Sequence, residues 1–149
     1  MLLKDEVEML RRIPLFSGVA PAKLKLLAFT SDRVSYRAEQ ALFRQGDMAD
    51  AAYVILSGTA DVSVDTPNGL IKVAEVEHDS IVGEIAILCD VQRTATVTAS
   101  TPLEALRISK EHFLKLLSDY PEMTIEIMRV LASRLSHTTA ELSEERSKH

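Results

Sequence analysis

The sequence predicts a mainly β domain with helices on both sides of it. Short segments of alternating or β-branched residues recur between residues 31 and 109, separated by turns about every eight to twelve residues. Four of the five glycines lie in or beside these segments, and helical patterns occupy both ends of the chain. This spacing fits roughly eight strands and is typical of a sandwich, a barrel or a jelly roll.

Composition limits the possible partners of the chain. A length of 149 residues fits one domain, and an apolar content of 46% is ordinary for a globular protein. The net charge of −5 argues against DNA or RNA as a main partner, because phosphate backbones attract basic surfaces. A local pocket for one small anion stays compatible with an acidic surface.

Several features predict a cytoplasmic location. No apolar run approaches the length of a membrane span, and Asp5 and Glu6 stand where a signal peptide would be apolar. Cys89 is the single cysteine, which excludes an intrachain disulfide and fits a reducing compartment. We expect Cys89 to be a small residue of the core.

The first thirty residues are predicted to be two packing helices. A helix over residues 4–13 is indicated by apolar side chains at three-residue spacing, namely Val7, Leu10 and Ile13. Pro14 ends this helix, because the residue before a proline avoids helical angles. Pro21 suits the first turn of a second helix that runs to Ala28.

The strands are expected in residues 31–109. Alternation or β-branched composition indicates strands at Arg33–Tyr36, Leu42–Arg44, Tyr53–Leu56, Ala60–Val64, Ile71–Val76, Ile81, Thr94–Thr98 and Leu103–Ile108. Asn68-Gly69 predicts a tight hairpin turn, since both residues tolerate positive φ.

Helices return over residues 110–149. Ser109 is a predicted N-cap for a helix over Lys110–Leu117, and Pro121 opens a long final helix. That helix carries a heptad-like stripe made of Met128, Leu131, Leu135, Thr138 and Leu142. The stripe either packs on the β domain or forms the seam of a parallel helix dimer.

The chain offers no pattern for catalysis. The histidines that a metal-binding jelly roll would need lack ligand spacing; they are His78, His112, His137 and His149. No Gly-x-Ser-x-Gly elbow, Walker A loop or dinucleotide glycine pattern is found in the sequence. We therefore expect no enzymatic activity, no metal and no cofactor.

The stretch from Val82 to Val97 places one apolar helical turn among the strands. Residues 83–86 start this turn, where backbone N–H groups can be presented to an anion. Arg93 can return to the same point with a two-pronged guanidinium, and Glu84 can accept hydrogen bonds from hydroxyls. A ligand with one anionic phosphate beside a sugar hydroxyl would satisfy both side chains.

At these residues the chain resembles the cyclic nucleotide-binding domain family. The family's phosphate-binding cassette stands here as Val82-Gly83-Glu84-Ile85-Ala86-Ile87-Leu88 followed, after a spacer, by Arg93-Thr94-Ala95-Thr96-Val97. Further similar segments are Ile13–Phe16, Gly46–Asp50 and Tyr53–Gly58. Val82 replaces the usual phenylalanine and Gln92 a frequent proline, and neither change removes a ligand contact.

The resemblance implies a β-roll flanked by helices in one domain over residues 1–149, binding cAMP or cGMP as a ligand. Glu84 would accept a hydrogen bond from the ribose 2′-hydroxyl, and Arg93 would pair with the cyclic phosphate. The remaining contacts implied near the phosphate are Gly83, Ile85, Ala86, Thr94 and Ala95. The candidates for capping the base on the last helix are Leu131, Arg134 and Leu135.

Members of the family usually act by moving the final helix when ligand fills the pocket. The chain is thus expected to be a sensor whose helix alters a homodimer or partner surface, with no contact to nucleic acid or membrane by this chain alone. The alternatives are a ligand-free interaction module of the same fold, or a regulatory fragment of a larger transcription regulator or channel.

Overall fold

The computed structural model describes residues 3–129 and Ala132. Helices precede and follow eight strands. The elements are α1 (Leu3–Arg12), a 3-10 turn (Pro14–Phe16), α2 (Pro21–Thr30), β1 (Asp32–Tyr36), β2 (Ala41–Phe43), β3 (Ala51–Ser57), β4 (Ala60–Thr66), β5 (Gly69–Val76), β6 (Ile81–Val82), α3 (Glu84–Leu88), β7 (Thr96–Ala99), β8 (Leu103–Ser109), α4 (Lys110–Asp119) and α5, the helical residues 121–129.

The strands form two antiparallel sheets of four strands each. The first sheet has the order β1-β8-β3-β6, and the second sheet has the order β2-β7-β4-β5. Neighbouring strands are thus mostly distant in sequence, as in a β-roll that folds back on itself. The predicted class, mainly β with flanking helices, is confirmed.

Strand β3 divides the interior into two cores. Its side chains alternate between the faces of its sheet, because successive residues of a strand point in opposite directions. Ala52, Val54 and Leu56 join the first core, which the helices cover. Ala51, Tyr53 and Ile55 join the second core, which lies between the two sheets. Six of the seven residues of β3 are therefore buried, which explains its nearly continuous apolar sequence.

The helices pack on the outer face of the first sheet. Their buried side chains include Leu10, Phe16, Leu24, Phe113, Leu116 and Met123. The Ser109 hydroxyl accepts a hydrogen bond from the His112 N–H at 3.3 Å, so the predicted N-cap of α4 is confirmed.

The segment boundaries differ from the sequence prediction at two places. The tight turn is formed by residues 67 and 68, and Gly69 already pairs with Thr66, so the turn lies one residue earlier than predicted. The strand expected at Thr94–Thr98 is Thr96–Ala99. Thr94 precedes it in a bend, because the backbone there is still leaving the loop that ends at Arg93.

The prediction that Cys89 lies in the core is wrong. Cys89 is the C-cap of α3 and is exposed. This helix has only five residues, and its inward face is already supplied by Ala86 and Ile87. The next inward position would require a further turn of helix.

The helix predicted to begin at Pro121 is present, and Met123 and Ile127 bury it against the first core. Met128 is exposed on another side of the helix. The other members of the heptad-like stripe, Leu131, Leu135, Thr138 and Leu142, lie outside the described residues. No helix within residues 3–129 is both long and apolar enough to cross a membrane.

Packing in the first core predicts which side chains contribute most to the free energy of unfolding. Phe113 is fully buried in it, so Phe113→Ala should lower the free energy of unfolding by about 3–5 kcal/mol, through lost burial and a residual cavity. Phe29→Ala is the matched control, because Phe29 is exposed and its loss should change stability by no more than about 0.5 kcal/mol. Urea unfolding of both variants measures the difference, and equal losses would contradict this packing.

Candidate functional site

The candidate site lies between the second sheet and the segment from β6 to β7. Gly83 follows β6, has a φ of +85 and is the N-cap of α3. A cavity of about 430 Å³ opens here, which is within the usual range for small-molecule pockets. Its walls are formed by Phe43, Val62, Ala74, Glu75, Val76, Ile81, Val82, Gly83, Glu84, Ile85, Ala86, Arg93, Thr94, Ala95 and Val97.

Arg93 forms part of the wall of this cavity and is only 3% exposed. Its Nη1 donates to the Gly83 carbonyl oxygen at 2.6 Å, and its Nη2 donates to the Ala51 carbonyl oxygen at 2.5 Å. The guanidinium carbon lies 4.1 Å from the centre of the Phe43 ring, in cation–π contact. The Nε atom is buried and finds no hydrogen-bond partner within the described residues.

The guanidinium of Arg93 stays charged although it is buried. Burial lowers the pKa of Arg93, because a buried cation loses hydration. Negative charge from Asp50, Asp47 and Glu84 opposes this effect, and the Asp50 carboxylate lies 3.8 Å from Nη2. Since an arginine side chain starts from a pKa above the range of physiological pH, the guanidinium remains a cation.

The backbone of Arg93 is also held by hydrogen bonds. The Arg93 N–H donates to the Asp47 carbonyl oxygen at 2.8 Å, and the Gly46 N–H donates to the Arg93 carbonyl oxygen at 2.8 Å. Asp47 in turn accepts from the Arg44 N–H at 2.9 Å. The turn after β2 therefore fixes the position from which the arginine enters the cavity.

Glu84 lies at the first position of α3, where a carboxylate complements the positive end of the helix. Glu84 borders two cavities, namely the cavity beside Arg93 and a second cavity of about 210 Å³. The second cavity is also lined by Leu15 from the 3-10 turn and by Glu126 and Ile127 from α5. Glu84 thus borders both the cavity beside Arg93 and the cavity beside the final helix.

The structure brings every predicted contact near the phosphate to the same cavity. Gly83, Glu84, Ile85, Ala86, Arg93, Thr94 and Ala95 all line it. Their contact with a ligand stays a prediction. The predicted base-capping residues Leu131, Arg134 and Leu135 lie outside the described residues.

Sequence reasoning missed two partners of Arg93, the Phe43 ring and the Ala51 carbonyl group. Nothing in the sequence marks either group as a partner of Arg93. Every residue has a carbonyl group, and a phenylalanine such as Phe43 is common in strands. It also missed Val62, Ala74 and Val76 of the β4–β5 hairpin, which reach the cavity from the second sheet.

We looked for a metal-binding site among the described residues. No group of three or more His, Cys, Asp and Glu residues there could hold a metal ion. His78 and His112 are both exposed, and His137 and His149 lie outside the described residues.

A family model described as the cyclic nucleotide-binding domain matches residues 33–120. The match begins in β1 and ends after α4, and it contains the whole cavity beside Arg93. The description of the family names the ligand that its domains bind and no reaction.

Relatives with known names support the same family. A CRP-like cAMP-activated global transcriptional regulator of Mycobacterium tuberculosis is 28% identical over 138 residues, which are 92% of this chain and 62% of the regulator. A cyclic nucleotide-binding-like protein of Brucella abortus is 33% identical with a TM-score of 0.66, covering 76% of this chain and 98% of that one. The sensor domain of the transcriptional regulator DNR of Pseudomonas aeruginosa is 26% identical with a TM-score of 0.82, covering 93% of this chain and 94% of that one.

The contact between Gly83 and Arg93 predicts a strong effect of Gly83→Ala. A Cβ at this position would lie 2.6 Å from Arg93 Nη1, so the buried guanidinium would have to shift and lose its carbonyl partners. Together with the left-handed φ, this should cost about 2–4 kcal/mol of stability.

The matched control is Gly69→Ala, where φ is +106 and a Cβ would meet nothing within 4 Å. This variant carries the backbone strain alone, which is about 1–2 kcal/mol. Urea unfolding separates the two terms. Equal losses in the two variants would show that the guanidinium does not depend on the missing side chain at position 83.

Proposed function

The chain belongs to the cyclic nucleotide-binding domain family, and on that premise we propose that it is a sensor domain that binds cAMP or cGMP in the cavity beside Arg93. The observation that carries the proposal is a buried guanidinium that forms part of the wall of a ligand-sized cavity. Two of its five N–H groups donate to carbonyl oxygens, and its Nε is buried without a hydrogen-bond partner among the described residues.

The charge balance favours a cyclic phosphate over a terminal one. A cyclic phosphate diester carries one negative charge, whereas the phosphate of a 5′-mononucleotide carries nearly two at neutral pH. The cation at Arg93 is already faced by Asp47, Asp50 and Glu84. A ligand with one negative charge therefore meets less repulsion from these carboxylates than a ligand with nearly two.

Glu84 is proposed to accept a hydrogen bond from the ribose 2′-hydroxyl, since an ionised carboxylate only accepts. Backbone N–H groups at Gly83 and Ala95 and the Thr94 hydroxyl are proposed to complete the contacts to the phosphate. These groups serve cAMP and cGMP alike, because the two share ribose and phosphate. The mycobacterial relative is named for activation by cAMP, which supports cAMP as the first ligand to test.

The proposed mechanism connects the ligand to helix α5. Glu84 lines one cavity with Arg93 and a second cavity with Glu126 and Ile127 of α5. A ligand that engages Glu84 would therefore act on a residue that also borders the cavity beside the final helix. We propose that this helix closes on the bound nucleotide and that its movement alters a dimer or partner surface.

The chain spans 62% of the length of the mycobacterial regulator. A regulatory part of a larger protein, whose output lies in another segment, is therefore the second candidate function. The two candidates share the ligand and differ in what the moving helix acts on. We propose no enzymatic activity for either.

Isothermal titration calorimetry with cAMP, cGMP and 5′-AMP tests the proposal. We expect one of the cyclic nucleotides to bind and 5′-AMP to bind at least tenfold more weakly. Arg93→Lys should weaken binding by about ten- to a hundredfold, because lysine cannot offer a planar pair of donors. Arg37→Lys is the control, since Arg37 is exposed and outside the cavity.

The second readout of the titration is stability. A cyclic nucleotide at a hundredfold excess over its dissociation constant should add about 2.7 kcal/mol to the free energy of unfolding. If neither cAMP nor cGMP binds or stabilises the wild-type chain, the site is not a nucleotide site. The fold would then act as a ligand-free interaction module.

Helix movement is tested by hydrogen exchange. The bound nucleotide should slow amide exchange in residues 121–129, because the helix would be held more firmly against the site. Residues 69–72, at the end of strand β5 that does not line the cavity, provide an internal reference that should change little. Unchanged exchange in residues 121–129 at saturating ligand would contradict the proposed mechanism while leaving the binding itself intact.

A further inference from the structure

Three carboxylates attract the buried guanidinium of Arg93, and each attraction competes with the attraction of a ligand anion. They belong to Asp47, Asp50 and Glu84. Of these, the Asp50 carboxylate lies within ion-pair distance, with its Oδ1 3.8 Å from Arg93 Nη2. Asp50 does not line the cavity. A closer pairing of Asp50 with Arg93 would therefore draw on the same cation from outside the site.

A second arginine holds the Asp50 carboxylate. Arg107 Nη2 donates to Asp50 Oδ2 at 2.8 Å. The other carboxylate oxygen stays 3.8 Å from Arg93, beyond hydrogen-bond distance. The two oxygens of Asp50 thus face different arginines, and the hydrogen bond is made with Arg107. A carboxylate paired with one cation attracts a second cation less strongly.

The sheet fixes the position of Arg107. This residue lies on β8, opposite Asp32 of β1 and Tyr53 of β3. Its Nη1 lies 3.9 Å from the Asp32 carboxylate, so the guanidinium reaches from β1 to the residue that precedes β3. The Asp50 carbonyl oxygen accepts from the Lys110 N–H at 2.9 Å, which holds the main chain of Asp50. The Asp50 side chain is 66% exposed and has room to turn between the two arginines.

We propose that Arg107 is a positioning residue for ligand binding: it holds the Asp50 carboxylate away from Arg93 and keeps the buried guanidinium available to the phosphate of a cyclic nucleotide. The inference rests on the proposed function of the cavity. Without the charge of Arg107, the Asp50 carboxylate turns toward Arg93 and pairs with it. The ligand phosphate then competes with that carboxylate for the same cation.

A double-mutant cycle tests this role, because an effect that passes through Asp50 disappears when Asp50 loses its charge. Arg107→Gln should weaken the binding of cAMP or cGMP by about three- to tenfold, the size expected when a buried cation gains an exposed carboxylate as its partner. Asp50→Asn should bind as tightly as the wild type or more tightly, because the competing charge is gone. Arg107→Gln combined with Asp50→Asn should bind within about twofold of Asp50→Asn alone.

Two further variants separate the charge of Arg107 from its packing. Arg107→Lys keeps the positive charge and should bind within about threefold of the wild type. Arg33→Gln is the matched control, because Arg33 is also an ion-paired arginine of the first sheet and lies 2.6 Å from the Glu104 carboxylate. The side chains of Arg33 and Arg107 are 27% and 29% exposed. Arg33 does not line the cavity, so this variant should bind as the wild type does.

Isothermal titration calorimetry with cAMP and cGMP measures all of these affinities, and urea unfolding checks that each variant is folded. The inference is wrong if the wild type binds and Arg107→Gln binds equally well. It is also wrong if Arg107→Gln weakens binding to the same extent with and without Asp50→Asn, since Arg107 would then act through the packing of β8. A loss in Asp50→Asn as large as in Arg107→Gln would show instead that Asp50 helps to hold Arg93.

The wild-type titration distinguishes the two proposals. If the wild type binds neither cAMP nor cGMP, the proposed function fails and the inference about Arg107 fails with it. If the wild type binds and the cycle shows no coupling between Arg107 and Asp50, only the inference about Arg107 fails.

Discussion

The burial of one guanidinium is the constraint on which the site depends. A cation removed from water costs several kcal/mol unless hydrogen bonds and opposite charge compensate it. Arg93 is compensated by carbonyl oxygens of Gly83 and Ala51, by the ring of Phe43, and by carboxylates nearby. The first of these contacts brings the guanidinium so close to Gly83 that a Cβ at this position would displace it. The glycine at position 83 is therefore tied to the same buried charge.

Strand β3 does not line the cavity but supports it through the hydrogen bond from Arg93 to the Ala51 carbonyl oxygen. This strand pairs with β8 on one side and β6 on the other, and its side chains reach both cores. The Ala51 carbonyl group is therefore held by the most buried element of the fold. The cavity itself is lined by the short helix α3, which has five residues and fewer packing contacts available to it. A ligand in the cavity therefore meets Arg93, whose guanidinium is held on β3, together with residues of the short helix α3.

Sequence patterns predicted the parts of the fold that repeat and missed those that depend on a single close contact. Alternation located the strands, and Ser109 and Pro121 located the starts of two helices, because these signals act within a few residues. The exposure of Cys89 was missed because apolar character does not tell where a five-residue helix stops. The Phe43 ring and the Ala51 carbonyl were missed because they meet Arg93 only through tertiary folding, 50 and 42 positions away in the sequence. The candidate phosphate contacts were found because they lie together within one stretch of chain.

The burial of Arg93 also decides how its charge acts on a ligand. Arg93 is buried, so its field is weakly screened and acts within one small cavity. A small anion that fits the cavity can use this charge at any ordinary ionic strength. Exposed cations of the chain, such as Lys25 and Lys115, are screened by salt beyond about 8–10 Å, and each contributes little alone. Binding at the cavity should therefore depend only weakly on salt.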